Sequence, residues 1–226
     1  MTGRPRLLDL FCGAGGAAVG YHRAGFDVVG VDHAPQPNYP YLAWQLDALD
    51  AVRFLLGSGI GPFRIGDFDA IHASPPCQAY SQAAMWQRNA GKEYPDLLAE
   101  TRRLLERTGL PWVIENVPGA PMRADFVICG CQVGLELRRE RWFETSWEHF
   151  EMRQPHHHEG PVVSVVGNGT PSWVREQLGF NPTIADYRAA MGIDWMNRTE
   201  LSQAIPPAYT EVVGAALAAH LRSVAV

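Results

Sequence analysis

Short apolar runs alternate with amphipathic stretches along the first half of the chain. An apolar run bounded by turn residues predicts a buried strand, and apolar residues at helical spacing predict a helix that packs on a sheet. The predicted strands are 7–11, 26–31, 68–73 and 111–115, and the predicted helices are 15–24, 44–56 and 97–108. Strands and helices in this order predict a doubly wound α/β sheet.

The pattern is less regular in the second half. Strands are predicted at 141–145 and 162–166, and helices at 184–192 and 208–221. The sequence contains no internal repeat and no linker long enough to separate two full domains. With 226 residues, of which 46% are hydrophobic and 19% charged, the chain has the size and composition of one globular α/β domain.

Hydropathy, cysteine content and net charge limit where the protein is expected to act and what it can bind. The residues before the first strand are too few for a secretory signal, and no apolar run approaches membrane-spanning length, so we expect a cytoplasmic protein. Four cysteines suit a reducing compartment, where thiols are catalytic or buried rather than paired. The formal net charge of −5 argues against a chain coated in basic residues. Any nucleic-acid contact must then come from clustered arginines, such as Arg138, Arg139 and Arg141.

A glycine-rich turn follows the first predicted strand. Its sequence, Asp-Leu-Phe-Cys-Gly-Ala-Gly-Gly at 9–16, lets the backbone adopt positive φ and approach a ligand closely. Such a turn is either a tight strand-to-helix connection or part of a nucleotide-type cofactor site. Asp32 ends the second strand, where a carboxylate either bonds a ribose diol or caps a loop. Asp47 either bonds an adenine amino group or caps the helix that follows it.

A candidate nucleophile follows the third predicted strand. Pro75 and Pro76 fix the backbone immediately before Cys77, at the end of a strand where α/β sheets bind their ligands. A cysteine nucleophile needs a lowered thiol pKa, which a helix start or a nearby cation supplies. The other three cysteines are interpreted as small buried apolar residues.

Glu115, Arg139 and Arg141 are the remaining candidates for chemistry. Glu115 ends the strand predicted beside that of Cys77. A carboxyl group in a partly apolar site can keep its proton and act as a general acid, although a solvated loop glutamate is the alternative. Strand alternation places Arg139 and Arg141 on one side, where both could hold a phosphate or a base carbonyl.

Five motifs in this order resemble the DNA cytosine-carbon-5 methyltransferase family. They are Asp-Leu-Phe-x-Gly-x-Gly-Gly at 9–16, Pro-Cys-Gln-x-x-Ser at 76–81, Glu-Asn-Val at 115–117, Arg-x-Arg at 139–141 and Ala-Ile-Pro-Pro at 204–207. The resemblance implies a Rossmann-like S-adenosylmethionine-dependent methyltransferase sheet with helices on both faces. It also implies methyl transfer from S-adenosylmethionine to carbon 5 of a cytosine flipped out of duplex DNA.

The resemblance implies a cofactor site at the ends of the first strands. Asp32 would bond the ribose of S-adenosylmethionine, and Asp47 would bond its adenine. The other implied cofactor-binding residues are Phe11, Gly13, Gly15, Pro76 and Ser202.

The resemblance also implies a covalent mechanism. Cys77 would attack carbon 6 of cytosine while Glu115 protonates or hydrogen-bonds ring nitrogen 3. Carbon 5 then takes the methyl group, and loss of its proton releases Cys77. Arg139 and Arg141 would hold the base and surround the thiolate, and Gln78 completes the implied catalytic set.

Three departures from the family pattern bear on function. Ser202-Gln203 stands where the family has Gly-Asn, and Ser74 precedes the two prolines where glycines are more usual. The chain is also short, so we predict a catalytic domain of 1–145 plus 184–226 with a rudimentary target-recognition insert at 146–183. Target specificity would then be low, or rest on a few loops, a partner or a dimer. Small stand-alone members suit a prokaryotic or phage setting, in modification or protection from restriction.

The motifs also permit three other interpretations. Ser-Pro-Pro at 74–76 also begins a motif of amino-methyltransferases, but Cys77 replaces the aromatic residue that would stack on the base. The same chemistry on RNA, or with a modified cofactor, fits the catalytic motifs equally well. A catalytically silent DNA-binding relative is the third alternative.

A histidine run lies inside the predicted insert. His156-His-His158 could bind zinc together with Cys129 and Cys131, but the spacing matches no familiar tetrahedral pattern. We therefore predict an exposed polar loop and no metal site. Val166-Gly-Asn-Gly-Thr170 is interpreted as a plain turn rather than a phosphate-binding loop.

Overall fold

One mixed sheet forms the centre of the molecule. The computed structural model describes residues 3–81, 85–147, 156–158, 160–166 and 170–224. The strands are β1 (Arg6–Leu10), β2 (Asp27–Asp32), β3 (Leu42–Gln45), β4 (Ala70–Ala73), β5 (Trp112–Asn116), β6 (Phe126–Ile128) and β7 (Arg141–Thr145). Their order in the sheet is β3-β2-β1-β4-β5-β7-β6, with β1 to β5 parallel and β7 antiparallel to both neighbours.

Helices cover both faces of this sheet. They are α1 (Gly16–Arg23), α2 (Ala48–Leu56), α3 (Met85–Asn89), α4 (Leu98–Thr108), α5 (Ser172–Leu178), α6 (Ile184–Met191), α7 (Arg198–Gln203) and α8 (Pro207–Val224). Apolar residues of α2 and α4 form one core with the sheet, and those of α1 and α8 form a second core with it. The predicted α/β fold with helices on both faces is confirmed. None of the described helices is both long and apolar enough to cross a membrane.

Small residues dock the C-terminal helix against the first helix. A Cβ atom added to Gly20 would lie 2.1 Å from the Pro207 carbonyl oxygen, and one added to Gly16 would lie 2.3 Å from the Ile205 carbonyl oxygen. Only glycine permits backbones to approach so closely. The contact carries the segment before α8 over the end of β1, where it borders the functional site.

The order of the strands places that site. From β1 the chain continues to β2 and β3 on one side of β1. It then returns to β4, which pairs with β1 on the other side, so the direction of winding reverses between β1 and β4. Ligands of open α/β sheets bind at such a reversal, beyond the carboxyl ends of the strands. The glycine-rich turn follows β1 and Cys77 follows β4, so the topology brings the two motifs together.

Some predicted elements differ from the structure. The helix predicted for 44–56 is wrong at its start, because Leu42–Gln45 is an edge strand paired with β2 and the helix begins at Ala48. The strand predicted for 162–166 is instead a single bridge between Leu137 and Val163. Strand β6 and helices α3, α5 and α7 were not predicted, since each is short. Residues 167–169 of the predicted turn lie outside the described part of the chain.

Candidate active site

A cavity of about 350 Å³ opens at the carboxyl ends of the central parallel strands. Its volume is within the range of small-molecule sites in proteins. Six separate stretches of the chain line it: 9–17, 32–36, 74–78, 115–117, 139–141 and 200–205. The cavity therefore depends on the tertiary fold, although its first two stretches come from the single β1–α1–β2 unit.

The glycine turn and Asp32 form one wall of this cavity. Backbone amides of Gly13 and Ala34 each donate a 3.0 Å hydrogen bond to the Asp32 carboxylate. A Cβ atom added to Gly13 would meet nothing within 4 Å, so the bare backbone faces open space. Phe11 has a φ of 59°, a left-handed conformation that non-glycine residues seldom adopt and that often occurs at ligand sites.

Asp9 is a second carboxyl group of this wall, and no role was predicted for it from the motifs. Its side chain is 1% exposed, and the Tyr39 hydroxyl donates a 3.4 Å hydrogen bond to it. Burial, followed by the charge of Asp32, raises the pKa of Asp9 to about 8 despite the opposing effect of that hydrogen bond. An acidic residue within an otherwise apolar strand was the sequence signal that could have identified it.

Hydrogen bonds to neighbouring strands fix the loop that carries Cys77. The Ser74 amide donates to the Leu10 carbonyl at 3.2 Å, and the Asn116 amide group donates to the Pro75 carbonyl at 3.0 Å. After the prolines, the amides of Tyr80 and Ser81 both donate to the Cys77 carbonyl. The thiol is thus held at the cavity between the ends of β1 and β5.

Two effects oppose each other at the Cys77 thiol. Burial raises its pKa, and the negative charge of Glu115 adds to that increase. The guanidinium groups of Arg141 and Arg139 lower the pKa, Arg141 more strongly. Burial prevails, so the pKa of Cys77 lies above its ordinary value in the ligand-free chain, and the two arginines are the cations that oppose this increase.

Glu115 is buried beside Cys77 with one oxygen available. Its side chain is 5% exposed, and burial raises its pKa against the effects of Arg141, Arg139 and Ser74. Arg141 Nε lies 3.0 Å from Glu115 Oε1, yet the direction of the N–H group does not make this ion pair a hydrogen bond. Within the described chain, Oε1 has no hydrogen-bond partner and can accept or donate one to a ligand.

A chain of hydrogen bonds between buried polar side chains ends at Glu115. The Tyr21 hydroxyl lies 3.0 Å from His72 Nδ1, and His72 Nε2 lies 2.7 Å from the Ser74 hydroxyl, which hydrogen-bonds to Glu115. Burial lowers the pKa of His72 to about 3, so its imidazole is neutral. If Tyr21 donates to Nδ1, then Nε2–H donates to Ser74, and the Ser74 proton remains for Glu115.

Arg139 joins three parts of the chain at the cavity. Its guanidinium donates to the Val165 carbonyl at 2.8 Å and to the Ser202 carbonyl at 2.7 Å. Burial, and then the charge of Arg141, lower the pKa of Arg139 to about 9. Its buried Nε lacks a hydrogen-bond partner among the residues that the structure describes.

Most of the sequence-predicted site residues line the cavity. They are Phe11, Gly13, Asp32, Pro76, Cys77, Gln78, Glu115, Arg139, Arg141 and Ser202. Gly15 and Asp47 are not in its lining. Gly15 has a φ of 85° at the start of α1, and a Cβ atom there would lie 2.6 Å from the Pro40 ring. The Asp47 carboxylate caps α2 by accepting hydrogen bonds from the amides of Leu49 and Asp50. Its observed contacts are therefore those of a helix cap.

Comparison with curated proteins finds bacterial methyltransferases. Over 213 residues the chain is 26% identical to the Type II methyltransferase M.AgeI of Thalassovita gelatinovora. The aligned region covers 79% of this chain and 48% of M.AgeI. Over 128 residues it is 31% identical to the Type II methyltransferase M.AquIA of Picosynechococcus. This aligned region covers 50% of this chain and 49% of M.AquIA. The chain therefore spans about half the length of the curated relatives it matches.

Solved structures share the fold. A DNA modification methyltransferase encoded within an E. coli prophage matches with a TM-score of 0.64 at 16% identity, covering 96% of this chain and 99% of that chain. Spodoptera frugiperda DNMT2 matches with a TM-score of 0.62 at 13% identity, covering 94% of this chain and 99% of that chain. At these identities the likeness establishes the fold alone.

A family model identifies the chain. The model of the C-5 cytosine-specific DNA methylases matches residues 5–124, which is more than half of the 226 residues. The matched segment contains the glycine turn, Cys77 and Glu115, which line one cavity. This agrees with the family predicted from the motifs, and the chain belongs to the C-5 cytosine-specific DNA methylase family.

Proposed function

We propose that this protein transfers a methyl group from S-adenosylmethionine to carbon 5 of cytosine in DNA through a covalent adduct with Cys77. The observation that carries the proposal is the composition of one cavity. A thiol, a buried carboxyl group and two arginines lie on one side of it, and a glycine turn with two carboxyl groups lies on the other. Family membership supplies the substrate class.

The acidic wall of the cavity suits the cofactor. S-adenosylmethionine, when bound, supplies an electrophilic methyl group on a positively charged sulfur. Asp32 would bond the ribose hydroxyls, since its carboxylate is already held in place by two backbone amides. The open space above Gly13 would admit the cofactor against the backbone. A bound cation would lower the pKa of nearby Asp9, which burial raises to about 8 in the free protein, and so favour its ionised form.

The opposite wall suits covalent activation of cytosine. Carbon 5 of cytosine is a poor nucleophile until a thiolate adds to carbon 6 and makes the ring enamine-like. Cys77 would add as the thiolate, which Arg141 and Arg139 favour. Glu115 would donate a proton or hydrogen bond to ring nitrogen 3, because burial favours its protonated form. After methylation, loss of the carbon 5 proton would expel Cys77 and restore the aromatic ring.

The flipped base and the target sequence belong to the same proposal. Arg138 is exposed next to the buried Arg139, where its guanidinium would contact a DNA phosphate. The segment 146–183 is short for an independent base-reading module. We therefore propose that a partner, a second copy or a few loops complete target recognition.

Covalent trapping tests the proposal directly. Duplex DNA containing 5-fluorocytosine is incubated with the protein and S-adenosylmethionine, because fluorine at carbon 5 blocks the final elimination. We expect a denaturation-resistant protein–DNA adduct that is absent with Cys77→Ala, while the variant still binds the cofactor in calorimetry. Cofactor binding without an adduct on any DNA would support a silent binding relative instead.

Substrate class needs a separate comparison. Methyl transfer is measured into duplex DNA, single-stranded DNA and tRNA of matched cytosine content, and bisulfite sequencing of DNA from expressing cells locates the modified positions. Transfer into duplex DNA at a repeated sequence context supports the proposal. Transfer into tRNA alone would assign the same chemistry to RNA.

A further inference from the structure

Four potential metal ligands converge where the predicted insert meets the end of β6. Cys129 follows β6 and Cys131 lies in the 3-10 turn Gly130–Val133, whereas His156 and His158 belong to the insert. One ligand atom from each residue lies within 4.8 Å of the other three. The spacing of these four residues along the chain matches no familiar tetrahedral pattern, and no metal site was predicted from it. The fold brings the two pairs together.

Two of the distances between these groups match those between ligands of a tetrahedral zinc ion. His158 Nε2 lies 3.3 Å from Cys129 Sγ and 3.7 Å from Cys131 Sγ. Neighbouring sulfur and nitrogen ligands around tetrahedral zinc are about 3.3–3.8 Å apart, given bonds of about 2.3 and 2.0–2.1 Å. A hydrogen bond from one thiol would explain one contact of His158, but not the approach of the second thiol and of His156.

We propose that Cys129, Cys131, His156 and His158 form a structural zinc site. Two thiolates and two neutral imidazoles are a common zinc ligand set, and sulfur ligands select zinc over magnesium or calcium. Binding would release both thiol protons to solvent, so that the two thiolates neutralise the dication. Four protein ligands leave no open position, which makes the site structural rather than catalytic. None of the four lines the active-site cavity.

The site would hold the insert beside the catalytic arginine. Val163 pairs with Leu137, and the Val165 carbonyl accepts a hydrogen bond from Arg139. Both contacts lie in the described segment that follows the two histidines. A short insert has little core of its own, and a metal ion commonly replaces core in such segments. Zinc would therefore stabilise the position of Arg139 without touching the substrate.

Metal content of the intact chain tests the proposal. The protein is expressed without a histidine tag, purified without a nickel column and analysed by mass spectrometry for metals. We expect about one zinc ion per chain, which Cys131→Ser and His158→Ala each remove. His157→Ala is the matched control, since His157 lies between the two ligands but is not in the cluster, and it should keep the zinc. A wild-type chain that neither contains zinc nor takes it up from added zinc chloride overturns the proposal, as does loss of zinc in His157→Ala alone.

Spectroscopy keeps the proposal testable if those variants do not fold. The wild-type chain is stripped with a chelator and titrated with cobalt chloride. We expect visible bands of tetrahedral cobalt with thiolate charge transfer, and X-ray absorption of the zinc form with sulfur at about 2.3 Å and nitrogen at about 2.0–2.1 Å. An octahedral nitrogen and oxygen environment would mean that the histidine run alone binds metal. That result, or a Cys129–Cys131 disulfide in freshly purified protein, would overturn the proposal.

Discussion

The two walls of the active-site cavity differ in how completely their polar groups are satisfied. On the cofactor wall, Asp32 accepts two backbone amides and Asp9 accepts a tyrosine hydroxyl. On the base wall, Glu115 Oε1 and Arg139 Nε are buried without a hydrogen-bond partner among the described residues. Buried polar atoms are seldom left unpaired, so the second wall retains interactions that a substrate can satisfy.

This difference separates a binding surface from a reactive one. Groups already fixed by the protein bind a ligand without rearrangement. Groups whose partners arrive with the substrate can instead interact most strongly in the transition state, which is what accelerates a reaction. Substitutions on the base wall should therefore change the rate of transfer, whereas those on the cofactor wall should change cofactor affinity or the stability of the free protein.

The largest effect is expected for Glu115→Gln. Glutamine keeps the shape of the side chain but cannot donate a proton from an acid, so methyl transfer should slow by about two to four orders of magnitude. Cofactor affinity should not change, because the cofactor wall is untouched. Single-turnover transfer assays and calorimetry measure the two quantities, with the exposed Glu176→Gln as control. Unchanged turnover would remove Glu115 from the mechanism.

Asp9→Asn should change how the stability of the cofactor-free protein depends on pH. Asp9 has a pKa of about 8 in the folded chain and about 3.9 when unfolded. Between these values the folded state holds the proton and the unfolded state does not. Stability from this group is therefore complete below the lower value and is lost as pH rises towards the upper one, by up to about 1.4 kcal/mol per pH unit.

Urea unfolding at several pH values within this window measures the loss. The Asp9→Asn variant should lose much less stability with rising pH than the wild type, because asparagine does not titrate. Glu176→Gln should keep the wild-type slope. Equal slopes for wild type and Asp9→Asn would mean that Asp9 is not protonated in the folded chain.

Ser74→Ala should have an intermediate effect on the base wall. The Ser74 hydrogen bond lowers the pKa of Glu115, so its removal should move the pH at which Glu115 loses its proton to higher values. Transfer should slow by about tenfold, equivalent to about 1.4 kcal/mol, as the carboxyl group loses a positioned partner. The pH profile of kcat/KM measures the shift, with the distant Ser223→Ala as control. If the pH dependence of kcat/KM were the same in Ser74→Ala as in the wild type, Ser74 would have a purely structural role.

The smallest effect is expected for Asp47→Ala. Loss of a helix cap costs about 1 kcal/mol of stability, and cofactor affinity should stay the same because Asp47 does not line the cavity. Thermal unfolding and calorimetry measure both quantities. A clear loss of cofactor affinity would support the adenine contact that the family resemblance implied for Asp47.

The sequence alone was sufficient to predict those site residues and elements that depend on neighbours close in the chain. The glycine turn, Asp32 and the prolines before Cys77 act through their own backbone or an adjacent strand, so motif and spacing identify them. Most central strands and helices were predicted for the same reason, as was the family. Asp47 shows the limit of this approach, because a helix cap and an adenine contact require the same residue at the same place.

Tertiary structure decided what depends on residues far apart in sequence. Three features result from burial and from neighbours on other elements of the fold. They are the unpaired atoms of Glu115 and Arg139, the hydrogen-bonded row of Tyr21, His72 and Ser74 next to Glu115, and the high pKa of Asp9. The convergence of Cys129 and Cys131 with two histidines of the insert has the same origin. Spacing along the chain contains no record of such contacts, because the desolvation and distances that create them exist only after the sheet has formed.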